Sequence, residues 1–198
     1  MKPLSVATLL ALGLGVAAPS FAQPTQTTQP DTWRMPYERG FWGHAGVSAG
    51  PSRLHADCPS GTSCDDKDYM FRAYAGGRFN NAIGLELGVL NFGKYQRGGG
   101  DTDGWGADIA LIAGIPIGAN TAIFGKLGAV YARMEANGTG IDTGKERGFG
   151  PRVGIGGQVG LTKEWAIRAD LDRYHVPMPG DKKENIDSFM LGVQYTFR

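Results

Sequence analysis

The side chains that could carry chemistry are three histidines, two cysteines and a set of charged residues. Asp172, His175 and Ser188 are of the types that supply an acid, a base and a nucleophile for acyl hydrolysis. A nucleophile must lie within hydrogen-bonding reach of its base. His175 ends one predicted strand, whereas Ser188 lies well inside the next one. We therefore expect no catalytic residues.

The cysteines are Cys58 and Cys64, in the segment "CPSGTSC". In an exported protein, an even pair this close in sequence is typical of a disulfide that closes a loop. Metal binding is the alternative, but two thiolates without a nearby histidine or third cysteine make a poor site. His44 and His55 have no metal-ligating residues at useful spacing. We predict a disulfide, no metal and no cofactor.

The amino terminus indicates export. Residues 1–22 have a basic start, an apolar run and the small-x-small site Ser20-Phe21-Ala22, which are the parts of a secretory signal peptide. An uncleaved anchor helix would need a longer apolar run. Residues 23–39 are rich in Pro, Gln and Thr without periodicity, so we predict a flexible periplasmic leader before a single domain at 40–198.

Composition narrows the class of protein further. The chain has 198 residues with 32 glycines and 10% aromatic residues, and disordered chains lack aromatic residues. The formal net charge of +1 provides no basic field for nucleic acid. No later run of 18 apolar residues predicts a membrane helix.

Alternating apolar and polar residues predict eight β-strands after the leader. Their predicted bounds are Gly40–Gly50, Tyr69–Phe79, Ile83–Gly93, Gly104–Ile117, Thr121–Met134, Phe149–Leu161, Trp165–His175 and Ile186–Phe197. The connections after the second, fourth and sixth strands are tight, and the others are long and polar. Tight turns at one end and long loops at the other are typical of a transmembrane β-barrel with an even number of strands.

The two faces of these strands differ in charge. One parity is apolar through the middle of every strand, and the other is rich in glycine and carries nine charges: Arg72, Arg78, Glu86, Asp108, Lys126, Arg152, Arg168, Asp170 and Asp172. A soluble ligand-binding barrel would turn the apolar face inward. The crowding of glycine on the charged face, aromatic residues near strand ends and the regular alternation of connections favour the membrane alternative.

The cost of exposing charge to lipid then decides which face is inside. A Lys or Arg on the lipid face costs about 2–4 kcal/mol at mid-bilayer. We therefore predict that the nine charges point inward and form paired networks, since unpaired buried charges are costly. Either the pairs simply plug the barrel or they form a switchable constriction in a narrow water path.

Two segments carry a resemblance to a known family. "RAYAGGRFNNAIGLELGVLNFGK" and, far downstream, "DLDRYHVP…NIDSFMLGVQYTF" resemble the OmpA-like transmembrane domain family of Gram-negative outer membrane proteins. The resemblance implies an eight-stranded up-and-down all-β barrel in the cell outer membrane, with a polar interior, an envelope-structural role and weak porin-like behaviour. The larger members carry a peptidoglycan-binding domain after the barrel, and we do not expect cell-wall tethering here.

The resemblance also implies partners. They are outer membrane lipid and lipopolysaccharide, periplasmic chaperones, and the barrel-assembly machinery, with the protein itself a monomer. The assembly signal of the family is similar to the alternating residues of the last strand: Phe189, Leu191, Val193, Tyr195 and Phe197. Here Arg198 follows the terminal aromatic residue, where the family's signal usually ends.

Two other functions remain as alternatives. Some eight-stranded outer membrane barrels are lipid A deacylases, but Pro177 stands where their motif would need the serine. Adhesion or phage recognition through the long extracellular loops is the second alternative. The first loop, with Cys58, Cys64 and the run from Asp65 to Asp68, is the surface that we expect to act in it.

Overall fold

The computed structural model describes residues 42–56, 64–79, 82–97, 99–138, 143–180 and 182–197. The predicted signal peptide and leader lie outside these ranges. Within them, no helix has the length and apolar character needed to cross a membrane.

The described ranges form nine strands, eight of them long. Their bounds are β1 Trp42–His55, β2 Cys64–Asp65, β3 Lys67–Arg78, β4 Ile83–Arg97, β5 Gly100–Pro116, β6 Thr121–Gly138, β7 Gly144–Gly160, β8 Trp165–Met178 and β9 Lys182–Phe197. The eight long strands confirm the prediction. The two-residue β2 was not predicted, and it pairs with the loop end of β4.

The eight long strands close into an antiparallel barrel. Each pairs with its neighbour in sequence, and β1 pairs with β9 from Gly43↔Phe197 to His55↔Asn185. The connections between β3 and β4, β5 and β6, and β7 and β8 are short, as predicted, although Asn80 and Asn81 of the first one lie outside the described residues. In the second and third, the amides of Ile117 and Leu161 donate to the carbonyls of Thr121 and Trp165 at 3.0 and 2.8 Å.

Several strands run past their predicted ends on the loop side. β6 continues to Gly138 instead of Met134, and β7 begins at Gly144 instead of Phe149. Backbone pairing persists there, whereas the outward side chains become charged, as at the cross-strand partners Glu135 and Lys145. The apolar alternation therefore predicted the apolar part of each strand rather than the whole paired strand.

The outward face is an apolar belt between two aromatic girdles. Leu87 is 56% exposed and Leu111 48% exposed, both pointing away from the barrel axis. At the turn end, the rings of Trp165 and Tyr195 lie 5.0 Å apart, and at the loop end those of Tyr131 and Phe149 lie 5.1 Å apart. Such girdles mark the two lipid interfaces of a membrane barrel.

Candidate functional site: the charged interior of the barrel

All nine charged residues named from the sequence face the interior. Each is at most 4% exposed, although they come from six different strands. They share the inward parity because successive side chains of a strand alternate between faces. What they can do depends on how they pair.

Glu86 on β4 links an arginine on the neighbouring strand with an arginine on the opposite wall of the barrel. Its Oε1 lies 2.8 Å from Arg72 Nη1, on the neighbouring β3. Its Oε2 lies 2.6 Å from Arg168 Nη1, on β8, which is diametrically opposite β4 in the strand order. This contact spans the whole bore.

Asp108 on β5 links a second pair of arginines. It accepts two hydrogen bonds of 2.8 Å from Nε and Nη2 of Arg72. Its Oδ1 also lies 2.5 Å from Nη1 of Arg152 on β7. Arg152 in turn places Nη2 3.1 Å from Oδ2 of Asp172.

Lys126 closes the network into a ring. Its Nζ lies 2.6 Å from Asp172 Oδ2 and 2.8 Å from Asp170 Oδ1. Asp170 Oδ2 lies 3.0 Å from Nε of Arg168, the residue at which the circuit began. We call this closed network the charge ring. In it four basic residues alternate with four acidic residues, in the order Arg168, Glu86, Arg72, Asp108, Arg152, Asp172, Lys126 and Asp170. Its formal charges cancel, which offsets part of the cost of burial.

Arg78 and His44 lie beside the charge ring. Arg78 packs its guanidinium 5.7 Å from the ring of Trp42. His44 Nε2 lies 3.3 Å from Glu86 Oε2. The sequence does not show that His44 neighbours Glu86, although the position of His44 on the first strand is consistent with an inward side chain.

Inward aromatic rings hold the arginines in place. The guanidinium of Arg168 lies 4.6 Å from the ring centre of Tyr74 and 4.5 Å from that of Phe124. That of Arg152 lies 5.0 Å from the ring of Tyr174. Such contacts strengthen as water is excluded. Sequence reasoning missed these aromatic residues because it assigned only charges and glycine to the interior.

An apolar layer fills the barrel interior on the loop side of the charge ring. Its members include Leu54, Met70, Phe92, Tyr95, Met134, Val176, Ile186 and Met190, all fully buried. Phe92 meets Tyr174 edge to face, with ring centres 5.8 Å apart. The expectation of a polar interior therefore holds only for the turn half.

The sequence comparisons agree with this architecture. The profile of the family described as outer membrane protein beta-barrel domain matches residues 8–197. The chain belongs to this family. It is 26% identical over 214 residues to Outer membrane protein A of Serratia marcescens, covering 94% of this chain and 55% of that protein. The chain spans about half the length of the curated relatives it matches.

Solved structures share the fold. Neisserial surface protein A superposes with a TM-score of 0.64 at 14% identity, covering 80% of this chain and 100% of that one. Ail, the attachment invasion locus protein of Yersinia pestis, superposes with a TM-score of 0.52 at 20% identity, covering 78% and 99%. This protein is thus an OmpA-like outer membrane barrel, located in the cell outer membrane.

The barrel wall separates the residues considered for acyl hydrolysis. Asp172 and Ser188 are cross-strand partners that face inward and are buried. His175 has the opposite parity, and its Nδ1 lies 2.9 Å from Asn185 Oδ1. The structure does not bring His175 together with Ser188. No cluster of three metal-ligating residues occurs in the part of the chain that the structure describes.

The first loop is only partly described. Cys58 lies outside the described residues, so its disulfide with Cys64 stays a prediction. Asp65 ends β2, and Lys67 and Asp68 begin β3, so these residues extend the sheet instead of forming an open loop. The amide of Leu54 also donates to the Asp66 carbonyl at 2.8 Å.

Several ion pairs lie on the rim, the outward-facing surface near the loop ends of the strands beyond the apolar belt. Arg173 donates two hydrogen bonds of 2.6 Å to Asp187, which lowers the pKa of the Asp187 carboxyl. His55 Nε2 lies 2.9 Å from the same carboxylate. Glu135 accepts from Lys145 at 2.9 Å, and this bond lowers the Glu135 pKa. The rim is therefore a surface of discrete charge clusters.

Proposed function

We propose that this protein is a sealed, non-enzymatic barrel that supports the outer membrane and holds its loops at the cell surface. The closed charge ring carries this proposal. An ion crossing the barrel would have to separate buried partners such as Arg168 and Glu86. Breaking a buried pair costs about 3–5 kcal/mol, because it leaves an uncompensated charge.

The apolar layer supports the same conclusion. Phe92, Met134 and Ile186 are fully buried on the loop side of the charge ring, so an ion would meet an uncharged barrier as well. An eight-stranded barrel is only wide enough for its side chains to fill it. Narrow porin-like conduction is therefore less well supported than sealing.

Single-channel recording on the full chain, refolded into planar bilayers, tests the proposal. We expect no steady conductance at neutral pH, and no swelling of liposomes that carry the protein in small sugars. Reproducible openings together with solute entry would replace sealing with porin-like function. In cells that lack the chain, we expect detergent sensitivity that the wild-type gene reverses.

Surface recognition is a second candidate function. The paired strands continue beyond the apolar belt, and β2 adds Cys64 and Asp65 to the loop end of β4, so these two residues of the first loop lie in the paired sheet beyond the belt. Ail has been crystallised with the heparin analogue sucrose octasulfate, which makes sulfated polysaccharide a ligand class to test. Deleting residues 59–63 should reduce binding to host cells or phage, and unchanged binding would remove this candidate.

Assembly is proposed to follow the family's route, as a monomer delivered by periplasmic chaperones. Phe189, Leu191, Val193, Tyr195 and Phe197 all face outward on β9. They form one continuous apolar face on the strand that closes the barrel against β1. We propose that the barrel-assembly machinery recognises this face before β9 pairs with β1.

A further inference from the structure

Two arginines lie directly opposite each other on the outer wall of the barrel. Arg133 on β6 and Arg147 on β7 are cross-strand partners, and both side chains are exposed. Like charges directly opposite destabilise a pair of strands. Among the residues that the structure describes, neither arginine has an acidic partner within ion-pair distance. The pair therefore lacks an ion-pair partner, although Arg133 interacts electrostatically with Glu135.

The neighbouring acids do not supply one. Glu135, the next outward residue on β6, is engaged by Lys145 at 2.9 Å. Asp103 lies opposite Glu135 on β5, diagonal to Arg133, and forms no ion pair with it in the described structure. Counting both acids, the patch still has three basic residues against two acidic ones.

The neighbouring aromatic residues indicate how deep the arginine pair lies in the membrane. Tyr131 and Phe149 are cross-strand partners on the same two strands, two residues closer to the belt. Trp105 lies directly opposite Arg133 on β5. Aromatic girdles mark the lipid interface, and two strand residues rise about 7 Å. The arginines therefore lie at the level of the lipid headgroups, on the side facing the lipid.

We propose that Arg133 and Arg147 together bind a phosphate of a phosphorylated lipid headgroup in the outer leaflet. Guanidinium groups match phosphate oxygens with two parallel hydrogen bonds, and one phosphate between the two arginines neutralises their repulsion. A soluble polyanion would approach the loops from above. This pair points sideways, at headgroup depth, so a lipid fits the site better.

Binding of lipid A in mixed micelles to the full refolded chain tests the proposal. The probe is bisphosphorylated lipid A, compared with the same glycolipid after enzymatic dephosphorylation. The double variant Arg133→Gln/Arg147→Gln should bind the phosphorylated form about 30-fold more weakly. Arg173→Gln is the matched control, because it removes a rim arginine that already has Asp187 as its partner. We expect it to bind as the wild type does.

Further arms separate the sources of phosphate. The double variant Arg133→Lys/Arg147→Lys keeps the positive charges but loses the paired N–H donors of the guanidinium groups. A loss of lipid A affinity between those of the wild type and the glutamine variant supports the proposal. The proposal would be overturned if inorganic phosphate bound as tightly as lipid A, or if Arg173→Gln lost as much lipid A binding as the double glutamine variant. Binding of heparin at the arginine pair without binding of lipid A would also overturn it. The comparison of the two glycolipids on the unchanged chain needs no variant, and equal affinity for both would also overturn it.

Discussion

Arg72 reaches Asp108 by lying across Gly88, a residue of the strand between them. Gly88 pairs with Asp108 on β5, and a Cβ built on Gly88 would lie 2.8 Å from Nε and Nη2 of Arg72. The same two nitrogens donate to the Asp108 carboxylate. A missing side chain on β4 therefore makes room for an ion pair between β3 and β5.

Substituting Gly88→Ala should destabilise the barrel by displacing the Arg72 guanidinium from Asp108. We expect a loss of about 1–3 kcal/mol in the free energy of unfolding, the usual range for overpacking. Urea unfolding in lipid vesicles measures it. Ala75→Gly is the control, since Ala75 is exposed on the outward face and touches no member of the charge ring. A larger loss for the control would contradict the explanation.

Substituting Asp108→Asn should cost about 3–5 kcal/mol, because it removes the carboxylate that two buried arginines share. Asp187→Asn serves as its counterpart on the rim. Asp187 is also shared, by Arg173 and His55, but it is partly exposed, and exposed pairs contribute about 0–1 kcal/mol. Unfolding of both variants in vesicles gives the difference. Equal losses would show that burial of the charge ring has no energetic importance.

Breaking the charge ring alone should leave the barrel closed. We expect Glu86→Ala or Lys126→Ala to show no more conductance in planar bilayers than the wild type, because the apolar layer remains. Adding Phe92→Ala to Glu86→Ala removes a ring that packs against Tyr174, and brief openings are expected. Channels in either single variant would instead make the charge ring the gate.

A charge placed on the apolar belt should be poorly tolerated. Leu127 faces lipid and is 64% exposed, so Leu127→Arg should lower the free energy of unfolding by about 2–4 kcal/mol. Gln96→Arg changes an exposed residue near the loop end of β4 and should cost about 0–1 kcal/mol. Folding titrations in vesicles compare the two. Similar costs would mean that the belt is not in hydrocarbon.

Loss of the last aromatic residue should slow assembly in cells. Phe197→Ser removes the end of the proposed signal on β9, and we expect less heat-modifiable folded protein in the outer membrane. Phe149→Ser removes an outward aromatic residue at the opposite end of the barrel. Both variants should refold similarly from denaturant in vitro. An equal loss in cells for both would show that position 197 carries no special signal.

Alternation with a period of two determined the eight strands, their tight turns and the face that carries charge. These are local properties, since a side chain's face follows from its place in the strand. The same parity places His175 on the face opposite to that of Asp172 and Ser188. Leu87 and Leu111 point to lipid because exposing Lys126 or Arg168 there would cost too much.

Only the closed barrel decided which charges pair. Arg168 meets Glu86 from the opposite wall, and residues 82 positions apart become partners through the register in which eight strands close. The apolar layer is also a tertiary feature, because Met70, Phe92 and Ile186 come from different strands and share only their height in the bore. The parity of a residue in its strand determines whether its side chain points into or out of the barrel. The height of that side chain along the barrel axis and its angle around the axis depend on the tilt and stagger of the strands.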